Sequence, residues 1–383
     1  MVLTGIDVLA RDNFRTLAGS RVGLVTNHTG LTSAGPPTID ALFHAPGVKL
    51  TTLFGPEHGI RGDFDQPAIA DSRDAQTGLP VCSLYGARTR PTAEQLEAVD
   101  TLVFDIQDIG CRFYTYLSTL LNVLEAADTH RKRVVVLDRP NPITGTRTEG
   151  PLADPDKLAF VACHPIPIRH GLTLGELARL LHAEKHLTCP LEVVPSEGWQ
   201  RGDWYDKTSL LWTNPSPNMR RLSAAALYPG VGLLEFTNVS VGRGTNTPFE
   251  IFGAPYINAR AFASALNAEA PPGVRFVPVE FTPTASVFAG KKCGGVQILI
   301  IDRDALDAVH VGLTLVLVLR RLHEHEWQPE KLRTLLVNGA AYDGVVAGKS
   351  YAEIAAGWAE ELGGFERRVE KWRLYETEPR TRG

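Results

Sequence analysis

Val48-Lys-Leu-Thr-Thr-Leu-Phe54 runs directly into Gly55-Pro-Glu-His-Gly-Ile-Arg-Gly62. The mostly apolar run predicts a buried strand, and a Gly-Pro pair ends it abruptly. The loop that follows carries an acid, an imidazole and a guanidinium, in Glu57, His58 and Arg61. A salt bridge between Glu57 and Arg61 within the loop explains this composition equally well. The arrangement recurs four more times in the first half of the chain, which favours a site for chemistry with Glu57 as the candidate catalytic acid.

Apolar runs and helical segments alternate on both sides of this stretch. Strands are predicted at residues 21–26, 48–54, 79–84, 101–106, 134–137 and 191–194. Helices are predicted at residues 38–44 and 113–129, and capping boxes at Thr92/Gln95 and Thr173/Glu176 mark the starts of two more. Strands that are apolar throughout and separated by helices indicate a parallel sheet covered on both faces, so the fold class is expected to be α/β.

The last third of the chain has a different pattern. From about residue 255 it predicts a smaller α+β unit, with strands at residues 276–281 and 295–301 and a helix at residues 309–324. A chain of 383 residues is long enough for two domains. We therefore expect one domain over residues 1–250 and a second over residues 251–383.

Each of the first five predicted strands ends in polar residues. In chain order these are Asn27, then Glu57 and His58, then Tyr85, then Asp105, Asp108, Arg112 and Tyr114, and finally Asp138, Arg139 and Asn141. Open parallel sheets bind ligands in the crevice outside the carboxyl ends of their strands. Loops are polar in any case, but five such runs exceed that expectation and predict a pocket at this edge.

The middle of the chain, residues 195–255, is rich in Pro, Gly, Asn and Trp. Trp199, Trp204 and Trp212 lie close together in sequence. Aromatic faces combined with polar groups suit a sugar, although the tryptophans would equally serve to pack a wall of loops. The segment Gly242-Arg-Gly-Thr245 lacks the Walker pattern and its lysine, so it is not a phosphate loop.

Composition excludes several classes of function. The net charge is −4, with no basic run, which argues against a nucleic-acid partner. No apolar stretch approaches the roughly 20 residues that span a bilayer. The first residues lack the pattern of a signal peptide, so we expect a cytoplasmic protein, or a mature form of an exported one. The five cysteines form no Cys-x-x-Cys pair, and the site segments lack metal-ligand spacing, so neither a metal nor another cofactor is expected.

Eight segments of the chain form long motifs in a fixed order. They are Val25-Thr-Asn-His-Thr-Gly30, Phe54-Gly-Pro-Glu-His-Gly59, Ser83-Leu-Tyr-Gly86, Phe104-Asp-Ile-Gln-Asp108 with Arg112-Phe-Tyr-Thr-Tyr116, Leu137-Asp-Arg-Pro-Asn-Pro142, Ile168-Arg-His-Gly-Leu-Thr173, Pro215-Ser-Pro-Asn218 and Thr237-Asn-Val-Ser-Val-Gly-Arg-Gly-Thr245. The chain resembles, on these motifs, the exo-β-N-acetylmuramidases of the NamZ type, which are peptidoglycan-recycling glycosidases. The resemblance runs from about Gly5 to the end of the chain.

This resemblance implies both an activity and an architecture. The activity is removal of a terminal β-linked N-acetylmuramic acid from the non-reducing end of peptidoglycan fragments, so the partner is a small-molecule saccharide or muropeptide. The architecture is a Rossmann-like domain with a smaller C-terminal domain and a cleft between them. The glutamate and tyrosine regarded as catalytic in the family fall on Glu57 and Tyr85.

The residues leave several mechanisms open. Glu57 could protonate the leaving oxygen if burial raises its pKa. Tyr85 could stabilise the oxocarbenium-like transition state or act as the nucleophile. The 2-acetamido group of the substrate could instead act as the nucleophile, oriented by Asp105 or Asp108.

The lactyl carboxylate of N-acetylmuramic acid calls for a cation, and an arginine suits it because its planar fork pairs with a carboxylate. The candidates are Arg61, Arg112, Arg139 and Arg243, of which Arg243 lies between two glycines. The remaining candidate substrate-binding residues are Asn27, His58, Asp105, Asp108, Tyr114, Asp138, Asn141, His170, Asn218 and Asn238.

Two rival functions come from other classes. One is a metal-assisted deacetylase or esterase on a similar sugar, which would use Asp105, Asp108, His28 and His58. The other is a muropeptide-binding protein without catalytic activity. Sensitivity to a chelator would support the first, and binding without product release would support the second.

Overall fold

A computed structural model of the chain describes residues 1–57, 59–60 and 71–376. His58 and Arg61, both singled out by the sequence, lie outside these described residues. The strands are β1 Arg21–Thr26, β2 Lys49–Gly55, β3 Ser72–Arg73, β4 Pro80–Ser83, β5 Thr101–Asp105, β6 Arg133–Leu137, β7 Glu149–Leu152, β8 Pro167–Arg169, β9 Leu191–Val194, β10 Ile251–Ala254, β11 Val274–Phe281 and β12 Cys293–Ile300.

The α-helices connect and cover these strands. They are α1 Gly5–Arg11, α2 Thr38–Phe43, α3 Ala93–Leu96, α4 Tyr116–Thr129, α5 Leu174–Glu184, α6 Leu222–Val231, α7 Ala259–Glu269, α8 Ala308–Leu322, α9 Arg333–Leu336, α10 Gly339–Val346, α11 Tyr351–Ala356 and α12 Ala359–Val369. No helix among the described residues is long and apolar enough to cross a membrane.

A seven-stranded sheet with the order β3-β4-β2-β1-β5-β6-β9 forms the centre of the molecule. All neighbouring pairs are parallel except β3 and β4. Because side chains alternate along a strand, Val25 and Phe104 enter one apolar core while Leu24 and Val103 enter another. Helices α4 and α5 cover the first face, and α1 and α2 cover the second. The predicted parallel sheet with two covered faces is confirmed.

The smaller C-terminal part contains an antiparallel sheet with the order β10-β12-β11. Helices α6 and α8 cross beside it at Gly230, where an added Cβ would lie 1.7 Å from the Ala308 carbonyl oxygen. Side chains of this part, such as Val316, join the core that contains Phe104 of the central sheet. The predicted combination of a Rossmann-like sheet and a smaller α+β part is confirmed. The predicted domain boundary after residue 250 stays a prediction.

Several elements begin or end away from their predicted positions. The helix predicted from residue 113 begins at Tyr116, and the strand predicted over residues 79–84 covers only Pro80–Ser83. Both predicted capping boxes form: the Thr92 and Thr173 side chains accept hydrogen bonds from the backbone N–H groups of Gln95 and Glu176. Because α4 begins at Tyr116, residues 113–115 are not helical. They lead into the N-terminus of α4, where the site lies.

Candidate active site

Glu57 lies just beyond the carboxyl end of β2, and both of its carboxyl oxygens accept hydrogen bonds. The Tyr85 hydroxyl donates to Oε1 at 2.7 Å, and the Thr115 hydroxyl donates to Oε2 at 2.6 Å. The two hydroxyl donors hold the Glu57 carboxyl group in one orientation. The three side chains therefore form one connected group, which we call the Glu57 triad (Glu57, Tyr85 and Thr115).

The topology of the sheet brings the triad together. Strands β2 and β4 are parallel neighbours that end side by side, with Gly55 opposite Ser83. The Leu84 N–H donates to the Gly55 carbonyl at 2.8 Å, which holds the segment carrying Tyr85 beside β2. Thr115 occupies the N-cap position of α4, but its side chain makes no capping bond and points to Glu57 instead. The N-terminus of α4 consequently faces a carboxylate, the charge that a helix N-terminus favours.

A pocket of about 220 Å³ opens beside the triad. It has an apolar, largely aromatic wall and a small number of polar groups, as a sugar-binding pocket requires. Among the described residues, its lining consists of Glu57, Tyr85, Phe113, Tyr114, Thr115, Tyr116, Phe160, Val161, Ser216, Met219, Tyr228, Glu235, Phe236, Arg243, Phe249 and Leu335.

The inner wall consists of tyrosines that stay protonated. Tyr114 packs edge to face against Tyr116 and Tyr228, with ring centroids 5.0 and 5.9 Å apart. Burial raises the pKa of all three hydroxyls well above the usual value. The Tyr116 hydroxyl donates to the Pro215 carbonyl at 2.6 Å, which joins the wall to the Pro215–Asn218 motif. These rings thus offer apolar surface and neutral hydroxyl groups rather than charge.

Arg243 and Glu235 form the charged part of the wall. The Arg243 Nε and Nη2 groups both contact Oε1 of Glu235, and the guanidinium lies 5.6 Å from the centre of the Phe249 ring. Gly242 and Gly244 flank Arg243 with φ values of 83° and 77°, a region that favours glycine. An added Cβ at Gly244 would lie 2.3 Å from the Ala285 nitrogen. The loop backbone is therefore fixed, and it delivers Arg243 to the pocket.

Four of the described residues predicted as site residues line this pocket: Glu57, Tyr85, Tyr114 and Arg243. Asn218 does not line it, although Ser216 and Met219 on either side do. Asn238 does not line the pocket either. Its side chain donates to the Glu326 carbonyl at 2.7 Å and accepts from the Gln328 N–H at 2.8 Å.

The other predicted residues that the structure describes are buried at or beyond the carboxyl ends of the strands and do not line this pocket. Arg112 is fully buried and donates to the carbonyls of Pro151, Ile166, Leu335 and Leu336. Arg139 forms a buried ion pair with Asp105 at 2.6 Å. Both arginines are thus held by acceptors inside the protein, and their role as contacts of a substrate carboxylate stays a prediction.

Three more of these residues also have internal contacts. Asp138 is fully buried and accepts from the Thr173 and Tyr375 hydroxyls, each at 2.6 Å. Asn141 donates to the Leu172 carbonyl at 3.0 Å, and Asn27 accepts from the Thr29 N–H at 2.9 Å. None of the three lines the pocket, and their predicted role in substrate binding stays a prediction.

Asp108 and His170 form a looser buried pair. The His170 Nε2 atom lies 3.6 Å from an Asp108 carboxyl oxygen, beyond hydrogen-bond length, and neither residue lines the pocket. The Asp108 carboxylate accepts from the Gly110 N–H at 2.8 Å.

A metal-binding arrangement does not appear in the part of the chain that the structure describes. No group of three or more His, Cys, Asp or Glu side chains there is placed to hold an ion. Asp105, named for the deacetylase alternative, is committed to Arg139, and the His28 Nε2 atom bonds to the Asn214 carbonyl at 2.6 Å.

Sequence reasoning missed Thr115, Ser216, Glu235 and Phe236. Thr115 lies inside the quoted Arg112–Tyr116 motif, so its position next to two site tyrosines was the available signal. Glu235 is eight residues from Arg243, and neither residue belongs to a helix or strand that would place them on a common face. Its proximity to Arg243 results from the turn between them.

Two family models match the chain in succession. "Exo-beta-N-acetylmuramidase NamZ, N-terminal" matches residues 22–223, and "Exo-beta-N-acetylmuramidase NamZ, C-terminal" matches residues 226–375. The chain is 41% identical over 378 residues to the peptidoglycan beta-N-acetylmuramidase NamZ of Bacillus subtilis (strain 168). The alignment covers 98% of this chain and 91% of that protein.

Two solved structures are similar over nearly the whole chain. Both are DUF1343 family proteins from Bacteroides fragilis NCTC 9343. One has a TM-score of 0.92 at 37% identity, and the other a TM-score of 0.80 at 27% identity. Each alignment covers 98% of this chain and 99% of the solved chain.

Proposed function

The chain belongs to the NamZ family of exo-β-N-acetylmuramidases, and on this premise we propose how its pocket performs that activity. The protein is a glycoside hydrolase that releases terminal β-linked N-acetylmuramic acid from the non-reducing end of peptidoglycan fragments. The observation that carries our site assignment is the Glu57 triad, in which a carboxylate held through both oxygens faces an aromatic pocket.

Glu57 and Tyr85 are the proposed catalytic pair. Glycoside hydrolysis needs a proton donor for the leaving oxygen and a group that stabilises the positive charge at the anomeric carbon. Glu57 is the proton-transfer group, because it is a carboxyl group that is open to the pocket and fixed in orientation. The Tyr85 hydroxyl passes its proton to Glu57 through their hydrogen bond as Glu57 protonates the leaving oxygen, and the resulting Tyr85 oxyanion stabilises the positive charge at the anomeric carbon. The water that then adds to the anomeric carbon releases the proton that restores Tyr85.

The shape of the site supports exo action. A pocket of about 220 Å³ is below the several hundred Å³ of a typical drug-sized ligand site, so it favours a single terminal sugar over an extended chain. The tyrosine and phenylalanine rings offer apolar surface for the less polar side of a pyranose ring, and polar lining residues such as Ser216 and Arg243 are placed to meet its rim.

Arg243 is the proposed contact for the lactyl carboxylate. Its side chain is 29% exposed and lines the same pocket as Glu57. The two other described candidates, Arg112 and Arg139, are committed to internal acceptors. A guanidinium in the pocket wall favours N-acetylmuramic acid over N-acetylglucosamine, because only the former carries the carboxylate.

The test is hydrolysis of a chromogenic β-N-acetylmuraminide beside the corresponding β-N-acetylglucosaminide, with the wild type and Glu57→Gln. We expect cleavage of the muraminide alone and a loss of at least ~10²-fold in Glu57→Gln, the scale of general acid–base catalysis. Thermal unfolding of both proteins serves as the folding control. Wild-type inactivity on both sugars would contradict the proposal, and so would a fully active, folded Glu57→Gln variant.

A further inference from the structure

Glu235 lies in the pocket wall beside the proposed carboxylate contact. Its side chain is 14% exposed, and its Oε1 atom receives both the Nε and the Nη2 groups of Arg243. A guanidinium that is bound through two nitrogens along one edge cannot rotate freely within its own plane, and its position is restricted as well. Glu235 thus determines which way the Arg243 fork points.

Two further features of the described residues around Arg243 restrict it less specifically. Phe249 supports the face of the guanidinium from 5.6 Å, and a face contact permits rotation in the plane of the ring. Gly242 and Gly244 fix the backbone, but an arginine side chain has several rotatable bonds beyond it. The contacts of two guanidinium nitrogens with one Glu235 oxygen favour a single orientation within this general placement.

We propose that Glu235 is a positioning residue that aims Arg243 at the substrate carboxylate and thereby sets the preference for an acidic amino sugar. This inference rests on the proposed function, in which Arg243 receives the lactyl group. It assigns Glu235 no proton transfer to the substrate. The hydrogen-bond acceptor at Oε1 matters here, and the negative charge of Glu235 is secondary.

Three substitutions separate the position of the acceptor from its charge. Glu235→Gln keeps an oxygen acceptor at the same reach without the charge. Glu235→Asp keeps the charge but is one methylene shorter, and Glu235→Ala removes both. Glu269→Ala is the matched control, because Glu269 pairs with Arg321 at 2.7 Å on the surface and does not line this pocket.

The measurement is calorimetric binding of N-acetylmuramic acid and of N-acetylglucosamine to each variant. We expect Glu235→Gln and the control to keep the wild-type preference within about threefold. Glu235→Ala is expected to reduce it by about tenfold, the lower end of what one charge-assisted hydrogen bond is worth, and Glu235→Asp to lie between them. In an Arg243→Gln background, Glu235→Ala should have no further effect.

Other patterns would overturn the inference. If Glu235→Gln and Glu235→Ala reduced the binding preference equally and Glu235→Asp left it unchanged, the charge of Glu235 rather than the position of its acceptor would matter. Glu235→Ala could instead lower kcat on the muraminide by more than ~10²-fold, both in the wild-type protein and in the Arg243→Gln background. That result would place Glu235 at the reacting atoms. An unchanged preference in all variants would also refute it. Failure of the proposed function itself would differ, since the wild type would then show no preference for the muramic sugar.

Discussion

Replacement of Tyr85 by phenylalanine tests whether this tyrosine takes part in the chemistry or merely orients Glu57. The change removes one oxygen atom and keeps the ring. That oxygen donates to the Glu57 Oε1 atom at 2.7 Å, and it also lines the pocket. Thr115→Val is the matched comparison, since it removes the equivalent bond to Oε2, at 2.6 Å, with almost no change of shape.

The structure sets the expected size of each effect. A hydrogen bond to a charged group contributes about 1.5–3 kcal/mol, so loss of orientation alone should lower kcat by about 10- to 150-fold. Thr115→Val is expected to fall in this range. Tyr85→Phe loses the same bond and also the oxygen that stabilises the anomeric centre, a further ~10²-fold, so its combined loss should be at least ~10³-fold.

The assay is steady-state hydrolysis of a chromogenic β-N-acetylmuraminide by both variants, together with their thermal unfolding. Thr115 makes no side-chain capping bond to α4, so its replacement should not weaken that helix. Equal losses in the two variants would refute the catalytic role of Tyr85 and leave it as a second orienting group. A Thr115→Val variant with full activity would show that the triad does not need both donors.

Three further predictions concern stability, measured as the free energy of unfolding from urea titrations. Gly230→Ala should destabilise by at least ~2 kcal/mol, because its Cβ would lie 1.7 Å from the Ala308 carbonyl oxygen and force α6 and α8 apart; an unchanged stability would contradict this close crossing. Arg112→Met should cost at least ~3 kcal/mol, since four carbonyls lose their donor; a stable variant with impaired sugar binding would instead return Arg112 to the substrate-binding residues. Burial raises the pKa of Asp138 to about 6, so between about pH 4 and pH 6 the folded protein holds a proton that the unfolded chain has released. Rising pH through this window should therefore lower wild-type stability relative to Asp138→Asn by ~3 kcal/mol, and a constant difference would rule out the shift.

The sequence predicted the central sheet well because its strands are buried on both faces. Such strands are apolar throughout, and the five from β1 to β6 that carry this pattern were all found near their predicted positions. The exception along this edge is β3, whose residues Ser72 and Arg73 are both exposed and leave no apolar trace. The paired strands β7 and β8 were missed as well, since β7 contains glycine and proline and β8 is three residues long.

The contents of the pocket were less predictable than its location. The rule that ligands bind beyond the carboxyl ends of parallel strands identified Glu57 and Tyr85 correctly as neighbours. It cannot distinguish a polar side chain that faces the pocket from one that pairs inside the protein. Arg139 and Arg243 are both arginines in loops that the sequence marked as candidate binding segments. In the structure Arg139 is paired with Asp105 inside the protein, whereas Arg243 lines the pocket.

Partners inside the protein explain much of this separation. Asp105 is the last residue of β5 and Asp138 directly follows β6, and both are fully buried because the loops fold over them. Charges and polar groups at that depth need internal partners, which Arg139 and Thr173 supply. Glu57 and Tyr85 each lie two residues beyond their strands and line the pocket. Arg139 also lies two residues beyond its strand, but it is buried in its ion pair with Asp105. The presence of an internal partner, and not the number of residues from the strand end, therefore separates the buried residues from the pocket lining.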